Sequence, residues 1–507
     1  MNSCRSYDIA LTHSVDRMHC PLHRVTAMHA AMNAVWLLLV LPVLPASCAP
    51  PRSLHLELAS VDSSVVNASL TEHELVRRAI QRSRRRLASM ARGGVASVRK
   101  AVVAETPVMP GGGEYLVKLG IGSPPYRFTA AIDTASDLIW TQCQPCVSCY
   151  NQIDPVFNPK VSSTYAVLPC SSDTCDELDA HRCNHDDDDA CQYTYTYSGN
   201  AKTEGTLAVD KLVIGEDVFR GVAFGCSTSS AGGGPPPQAS GVVGLGRGPL
   251  SLVSQLSMRR FMYCLPPTAS RTAGKLVLGA DADAGGHNAT DQVAAPMRRD
   301  PRYPSYYYLN LDGLAVGDKA TSLARTNATM NATVVGDADA HGMIIDIAST
   351  ITFLEASLYD ELAEDLEDEI RLPRGTGSSL GLDLCFILPT GVPIERVYVP
   401  PVSLAFDGRW LKLDRERLFV EDRESGMMCL MVDRTGGGLH PRQLPAAEHA
   451  VVWVDGMIFV YCGWRKYDNP KVVDPSPFWS AGNVERKKKR FDPQLTTTNK
   501  AFQYQAN

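Results

Sequence analysis

The sequence predicts a mostly β protein built as two related lobes with a reactive cleft between them. Three observations carry this. Short runs rich in β-branched and aromatic residues alternate with Gly, Pro, Ser and Asp clusters, as in EYLVKLGIG, QYTYTYSG, GTLAVDKLVIG, FRGVAFGC and KLVLG. A weak internal repeat sets FTAAIDTASDLIW, around Asp133, against GMIIDIASTITFL, around Asp346; in each, an apolar run leads into Asp-x-Ala-Ser and more apolar residues follow. At 507 residues the chain also exceeds what one compact core usually fills. If the two halves form similar β lobes about an approximate twofold axis, their Asp loops meet at the cleft.

Composition sets no special class. Hydrophobic content of 44% and charged content of 21% are ordinary for a globular protein. The net charge of −6 offers no global basic field for nucleic acid or an anionic membrane.

Taken in order, residues 1–31 form an extension, and Met28 or Met32 would make a more usual start. Residues 32–49 read as a signal peptide: AVWLLLVLPVLPASCA has a short apolar run, then Ser47 and Ala49 placed for cleavage. The run is interrupted by prolines and is shorter than the roughly 18 apolar residues a membrane span needs, so no stable span is expected.

Residues 50–106 are basic. Thr71-Glu-His-Glu74 has the capping-box pattern, and Val76, Ile80, Leu87 and Met90 follow at helical spacing. Arg77, Arg78, Arg82, Arg84, Arg85, Arg86, Arg92, Arg99 and Lys100 decorate this stretch, with no Asp or Glu from Leu75 to Ala104. Two readings fit. One is a solvated basic helix or linker; the other is a removable propeptide whose positive charge covers an acidic cleft until low pH protonates the carboxylates.

MPGGGEYLV then marks a boundary. An N-terminal β lobe is expected over 107–300 with a Cys-rich insertion at 143–191, a C-terminal β lobe over 301–460, and a polar, basic tail over 461–507. Leu354 to Ile370 has helical periodicity, and Ala231 to Gly241 reads as a loop. Seven of the fifteen cysteines lie between Cys143 and Cys191. Cys143-x-x-Cys146-x-x-Cys149 beside HRCNHDDDD would suit a metal in a cytosolic chain, but behind a signal peptide disulfides are favoured. Sequons at Asn67, Asn288, Asn327 and Asn331 fit glycosylation on a secretory route.

From Gly113 to about Gly438 the chain resembles pepsin-like aspartic proteases, most closely the plant nepenthesin-type branch. GEYLVKLGIGSPPYRFTAAIDTASDLIWTQCQPC resembles its opening strands and first catalytic loop, GVVGLGRGPLSLVSQL the strand beneath that loop, and GMIIDIASTITFL the second loop. GLDLCF and MMCLMV are similar to family segments too. The resemblance implies a bilobal pepsin-like fold of two six-stranded-type β lobes with the cleft between them. It makes Asp133 and Asp346 the catalytic pair, supported by Thr134, Ser136, Ser349 and Thr350. Ser136 and Ser349 would bond the outer carboxylate oxygens. Tyr197 would be the flap tyrosine over substrate, and Trp140 its indole partner. Implied disulfides are Cys143–Cys146, Cys149–Cys226, Cys170–Cys191, Cys175–Cys183 and Cys385–Cys429, with Cys264 reaching a C-terminal cysteine for which Cys462 could stand in.

Four departures bear on activity. Ala135 and Ala348 replace the glycines of the two loops, and Ile347 stands where the second loop has Ser or Thr. The turn YSGNAKTEG differs from the family's flap turn. From Leu439 the family's closing strand is not found in order, although VVWVDGMIFVYC could supply a strand. The expectation is a secreted aspartic endopeptidase that cuts protein or peptide substrates at acid pH as a monomer, with no cofactor or metal. It would work in the apoplast or cell wall, with the vacuole open. The alternative is a catalytically impaired relative acting as a binding or inhibitor protein. Ala135, Ala348 and Ile347 point that way, whereas the retained aspartates and serines point to the protease.

Overall fold

A computed structural model describes residues 53–63, 70–90, 115–184, 189–197, 201–232, 235–258, 260–265, 273–279, 295–298, 303–322, 342–413, 415–435, 450–452 and 457–461. Strands dominate them, as the alternating runs predict, and among the described residues they pair into sheets of thirteen, eight and four strands.

The first strand belongs to the basic segment. β1 (Ser53–Ser60) buries Leu54, Leu56 and Leu58 on one face, the period of a half-buried strand. The long helix α1 (Glu72–Met90) follows. Thr71 Oγ1 accepts from the Glu74 amide at 3.2 Å, so the expected cap forms. Val76 and Ile80 on its inner face pack with Tyr308, Ile344, Ile351 and Phe353. So arginine-rich a helix would have a thin apolar stripe in isolation; its packing on the second lobe is what holds it.

The first lobe contains β2 (Tyr115–Ile121), β3 (Tyr126–Asp133), β4 (Trp140–Gln142), β5 (His181–Asn184), β6 (Ala190–Thr196), β7 (Lys202–Ile214), β8 (Asp217–Ala231), β9 (Gly241–Gly244), β10 (Arg260–Cys264) and β11 (Gly274–Gly279). β1 lies antiparallel between β11 and β2, with Leu54 opposite Leu278 and Ala59 opposite Leu116. The basic segment is therefore built into the sheet rather than hung outside it.

The second lobe contains β12 (Tyr308–Val316), β13 (Gly342–Ile345), β14 (Thr352–Leu354), α2 (Ala356–Glu369), β15 (Cys385–Ile387), β16 (Val402–Phe406), β17 (Met427–Leu430) and β18 (Val432–Arg434). α2 starts on Glu355, whose carboxylate accepts from the Leu358 amide. It buries Leu358, Tyr359, Leu362 and Leu366, the stripe its sequence period predicts.

Two short strands close the structure, β19 (Ala450–Val452) and β20 (Met457–Tyr461). The sequence gives no ordered counterpart of the family's closing strand, yet β19 runs parallel to β13 with Met343 opposite Ala450 and Ile345 opposite Val452. β20 pairs antiparallel with β10, Met457 opposite Cys264. A parallel neighbour needs only backbone donors and acceptors, so the family's Leu-Gly-Asn sequence is not required to fill the place. Among the described residues no helix is long and apolar enough to cross a membrane.

Candidate active site

Both aspartates leave the ends of buried strands. Asp133 ends β3, where β9 runs parallel beside it with Val242 opposite Ala131 and Gly244 opposite Asp133. The Leu245 amide donates to the Asp133 carbonyl at 2.7 Å. Asp346 follows β13, which has the parallel neighbour β19. The repeat seen in sequence thus becomes one motif built twice, a strand that delivers an aspartate and a parallel strand that supports it.

The two carboxylates are buried and face one group, the guanidinium of Arg86 on α1. Arg86 Nη2 donates to Asp133 Oδ1 at 2.7 Å and to Asp346 Oδ1 at 2.6 Å, and Arg86 Nε donates to Asp346 Oδ2 at 2.5 Å. Burial alone would weaken the guanidinium's hold on its proton. The Asp133 and Asp346 charges outweigh that and hold it well above its ordinary range. Arg86 was visible in sequence only as one of several arginines. Its place seven residues after buried Ala79 and three after buried Ser83 is the available signal that it shares the inner face.

Around the pair, the Ala135 amide donates to Asp133 Oδ1 at 3.0 Å, and Ser349 Oγ donates to Asp346 Oδ2 at 2.7 Å. The Ile347 amide donates to Thr134 Oγ1 at 3.1 Å, crossing between the lobes. Ile347 has no hydroxyl with which to return that bond. The Thr350 amide donates to Ser83 Oγ of α1 at 2.7 Å. Trp140 Nε1 donates to the Tyr197 hydroxyl at 2.7 Å, the pairing expected of indole and flap tyrosine. Tyr197 leaves β6, and its amide reaches the Ala201 carbonyl at 2.7 Å. Burial first, then the Asp133 charge, push the Tyr197 phenol far up, so it serves as a neutral hydrogen-bonding group.

Several expectations need correction or fall elsewhere. Ser136 is buried, but its hydroxyl bonds no carboxylate oxygen. Neither Ala135 nor Ala348 has a left-handed backbone, so the lost glycines remove no required conformation. The first four implied cysteine pairings change partners. Cys143 bonds Cys226, because β4 and β8 run side by side and the Cys143 amide donates to the Ser227 carbonyl. Cys146 then bonds Cys149 within one tight turn, their Cα atoms 6.0 Å apart. Cys170 bonds Cys183 and Cys175 bonds Cys191. Cys183 and Cys191 lie opposite each other in the β5–β6 hairpin, so all four sulfurs share one cluster and the alternative partners are close neighbours. Cys385 bonds Cys429 as implied, across β15 and β17. Cys170, Cys175 and His181 converge, but both sulfurs are committed to disulfides. The Cys264 side chain, Cys462, Asn67, Asn288, Asn327 and Asn331 lie outside the described residues.

A buried aspartate pair carried on two β lobes, together with the Trp140–Tyr197 hydrogen bond, can be set beside known proteins. Residues 115–280 match the family described as xylanase inhibitor N-terminal, and residues 306–454 match xylanase inhibitor C-terminal. Aspartyl protease 37 of Oryza sativa subsp. japonica is 76% identical over 430 residues, covering 80% of this chain and 92% of that protein. Aspartic proteinase nepenthesin-1 of Nepenthes gracilis is 37% identical over 385 residues, covering 75% and 83%. The chain belongs to the pepsin-like aspartic protease family, in its plant nepenthesin-type branch. The crystal structure of basic 7S globulin from soybean is similar in fold, with a TM-score of 0.51 at 18% identity over 80% of this chain and 91% of that one. Conglutin gamma from lupine seeds matches with a TM-score of 0.50 at 17% identity over 79% and 89%. At such identity these two likenesses bear on architecture alone.

Proposed function

We propose that this chain is the latent form of a secreted aspartic endopeptidase that cuts protein or peptide substrates at acid pH. The observation that carries the reading is the bridge by Arg86: one nitrogen bonds both Asp133 and Asp346 at 2.7 and 2.6 Å. A water in that place would reach both carboxylates. Two carboxylates so close share a proton, because ionising both is costly. The ionised member takes a proton from the water as its oxygen attacks the amide carbonyl; the protonated member donates to the developing oxyanion. Peptide C–N cleavage follows with proton transfer to the leaving nitrogen, and no metal or organic cofactor is needed.

Arg86 fills the water's place while α1 is docked, so the reading includes a zymogen. A guanidinium does not lose its proton in the accessible range, so acid can act only on its carboxylate partners. Once they protonate, the ion pair is lost and α1 can be displaced. The leader-like segment 32–49 supports secretion to the apoplast or cell wall, or delivery to the vacuole, as a monomer.

The test is cleavage of denatured globin by the secreted full chain after incubation at about pH 3–5, the range of a shared-proton pair. Pepstatin and an Asp133→Asn variant serve as controls. Pepstatin-sensitive cleavage should appear and should fall by about a thousandfold or more in Asp133→Asn. A folded, secreted protein that loses α1 yet cuts nothing would sink the protease reading in favour of a binding or inhibitor role.

A further inference from the structure

Asp137, four residues beyond Asp133, is a partly buried carboxylate that the two-aspartate reaction does not use. The structure builds a seat for it. A Cβ on Gly246 or Gly248 would collide with its carboxylate, and a Cβ on Gly244 would collide with its backbone. The alternating glycines of GVVGLGRG thus clear one continuous strip for one side chain. The Gly248 amide donates to Asp137 Oδ1 at 2.7 Å, the Gly246 amide donates to the Ser136 carbonyl at 2.8 Å, and the Asp137 amide donates to the Tyr195 hydroxyl at 3.0 Å.

The remaining contact leaves the first lobe. Ser305 Oγ donates to Asp137 Oδ2, and the Ser305 carbonyl accepts from the Arg247 amide at 3.1 Å. Ser305 lies just before β12, the first strand of the second lobe. Two residues on, the Tyr307 hydroxyl donates to the Leu245 carbonyl at 2.7 Å, and the Tyr307 carbonyl accepts from the Ile345 amide at 3.0 Å. Ile345 immediately precedes Asp346. A short series of bonds therefore runs from the Asp133 loop through Asp137, Ser305 and Tyr307 to the strand that delivers Asp346.

We propose that Asp137 is a positioning residue that, through Ser305, fixes the Asp133 loop relative to the second lobe and so sets the spacing of the catalytic pair. It touches neither substrate nor the attacking water; its effect is on geometry, to which such chemistry is steeply sensitive. The kinetic arm of the test rests on the protease reading, and the exchange arm does not.

Ser305→Ala, Asp137→Ala and Asp137→Asn are compared in the secreted full chain. After acid activation, kcat per pepstatin-titrated site should fall about tenfold or more in Ser305→Ala and Asp137→Ala, with KM within about twofold. Asp137→Asn should recover most of the loss, because its amide keeps the shape and can bond both Gly248 and Ser305. Hydrogen exchange is measured in parallel, before activation. The Ile347 amide, which reaches across to Thr134, should exchange about tenfold faster in Ser305→Ala, while amides of α2 stay unchanged. Should Asp137→Ala fail to fold, Ser305→Ala still decides. If the wild type cleaves nothing, the protease reading fails while exchange still tests the tether. Unchanged exchange at Ile347 in Ser305→Ala overturns the assignment whatever the kinetics show.

Discussion

The two aspartate loops come from one repeated motif, yet they are held differently. The Asp133 loop is secured largely by its own lobe: the Ala135 amide bonds the carboxylate, the Leu245 amide bonds the Asp133 carbonyl, and Asp137 sits in its glycine seat. The Asp346 loop has Ser349 on its carboxylate but leans on α1 for more, since Ser83 accepts the Thr350 amide and Arg86 gives Asp346 two bonds against one to Asp133. Between the loops a bond runs from the Ile347 amide to Thr134, with no hydroxyl on Ile347 to return it. The lesson is that the second loop, where Ile347 carries no hydroxyl, is completed by α1 of the basic segment.

Removing the arginine should have the largest effect on that contrast. Arg86→Ala leaves two buried carboxylates facing each other, and breaking a buried ion pair costs about 3–5 kcal/mol. α1 should then open the cleft at a higher pH than in the wild type, read as the pH at which pepstatin first binds the intact chain. Arg86→Lys should fall between the two, because an ammonium cannot make the planar fork. A wild-type opening pH in Arg86→Ala would mean that α1 is held by its apolar face and that the loops do not depend on the bridge.

A smaller change should make the loops more alike. Ile347→Thr supplies the missing hydroxyl opposite Thr134 and should stabilise the fold by about 1 kcal/mol, seen as a higher denaturant midpoint with an unchanged slope. A lower midpoint would show that the apolar packing of buried Ile347 outweighs the lost bond.

The start of α1 has an anchor that acid should leave in place. Near its start, His73 lies 3.7 Å from Asp422 and 3.4 Å from Glu424. Burial works to raise the Asp422 carboxyl, but the hydroxyls of Ser379, Ser378 and Ser425 and the Ser379 amide outweigh it and hold the carboxyl at about 2. A depressed carboxylate contributes stability that is full above its ordinary value of 3.8 and lost only as pH falls through about 2. At pH 4, then, Asp422 stays ionised and this anchor persists. His73→Ala should speed loss of α1 at pH 4 by about two- to fivefold, because it removes the contact with Asp422. Equal rates at pH 4 would remove this end from the comparison.

The smallest effect is expected at Ala135. With no left-handed backbone there, Ala135→Gly should cost about 0.4–1 kcal/mol through the unfolded chain and leave kcat within about threefold. A gain in kcat of tenfold or more would mean that the methyl displaces Asp133 after all.

What was legible in sequence was local. Asp133 and Asp346 stand out because an aspartate in a turn between two apolar runs, found twice, is a pattern of neighbours. The α1 cap, its apolar positions and the stripe of α2 follow from helical spacing for the same reason. The Trp140–Tyr197 contact came through family resemblance, and the structure makes it a hydrogen bond of 2.7 Å. Less was legible wherever the outcome depended on which of several equivalent groups faces inward. Many arginines line the basic segment, and only docking on the second lobe selects Arg86. Four clustered cysteines have alternative partners within reach, so strand and turn geometry chooses among them.

By itself, then, the sequence determined that two β lobes would each present an aspartate, that a basic helix precedes them, and that Ile347 lacks a hydroxyl. The tertiary structure decided that Arg86 bridges the pair, that Ala450–Val452 fills the place beside β13, and that Asp137 meets Ser305 across the lobes. The physical reason is range. Periodicity and turn chemistry act between residues a few positions apart, whereas these contacts join residues up to 260 positions apart and exist only once distant segments have packed together.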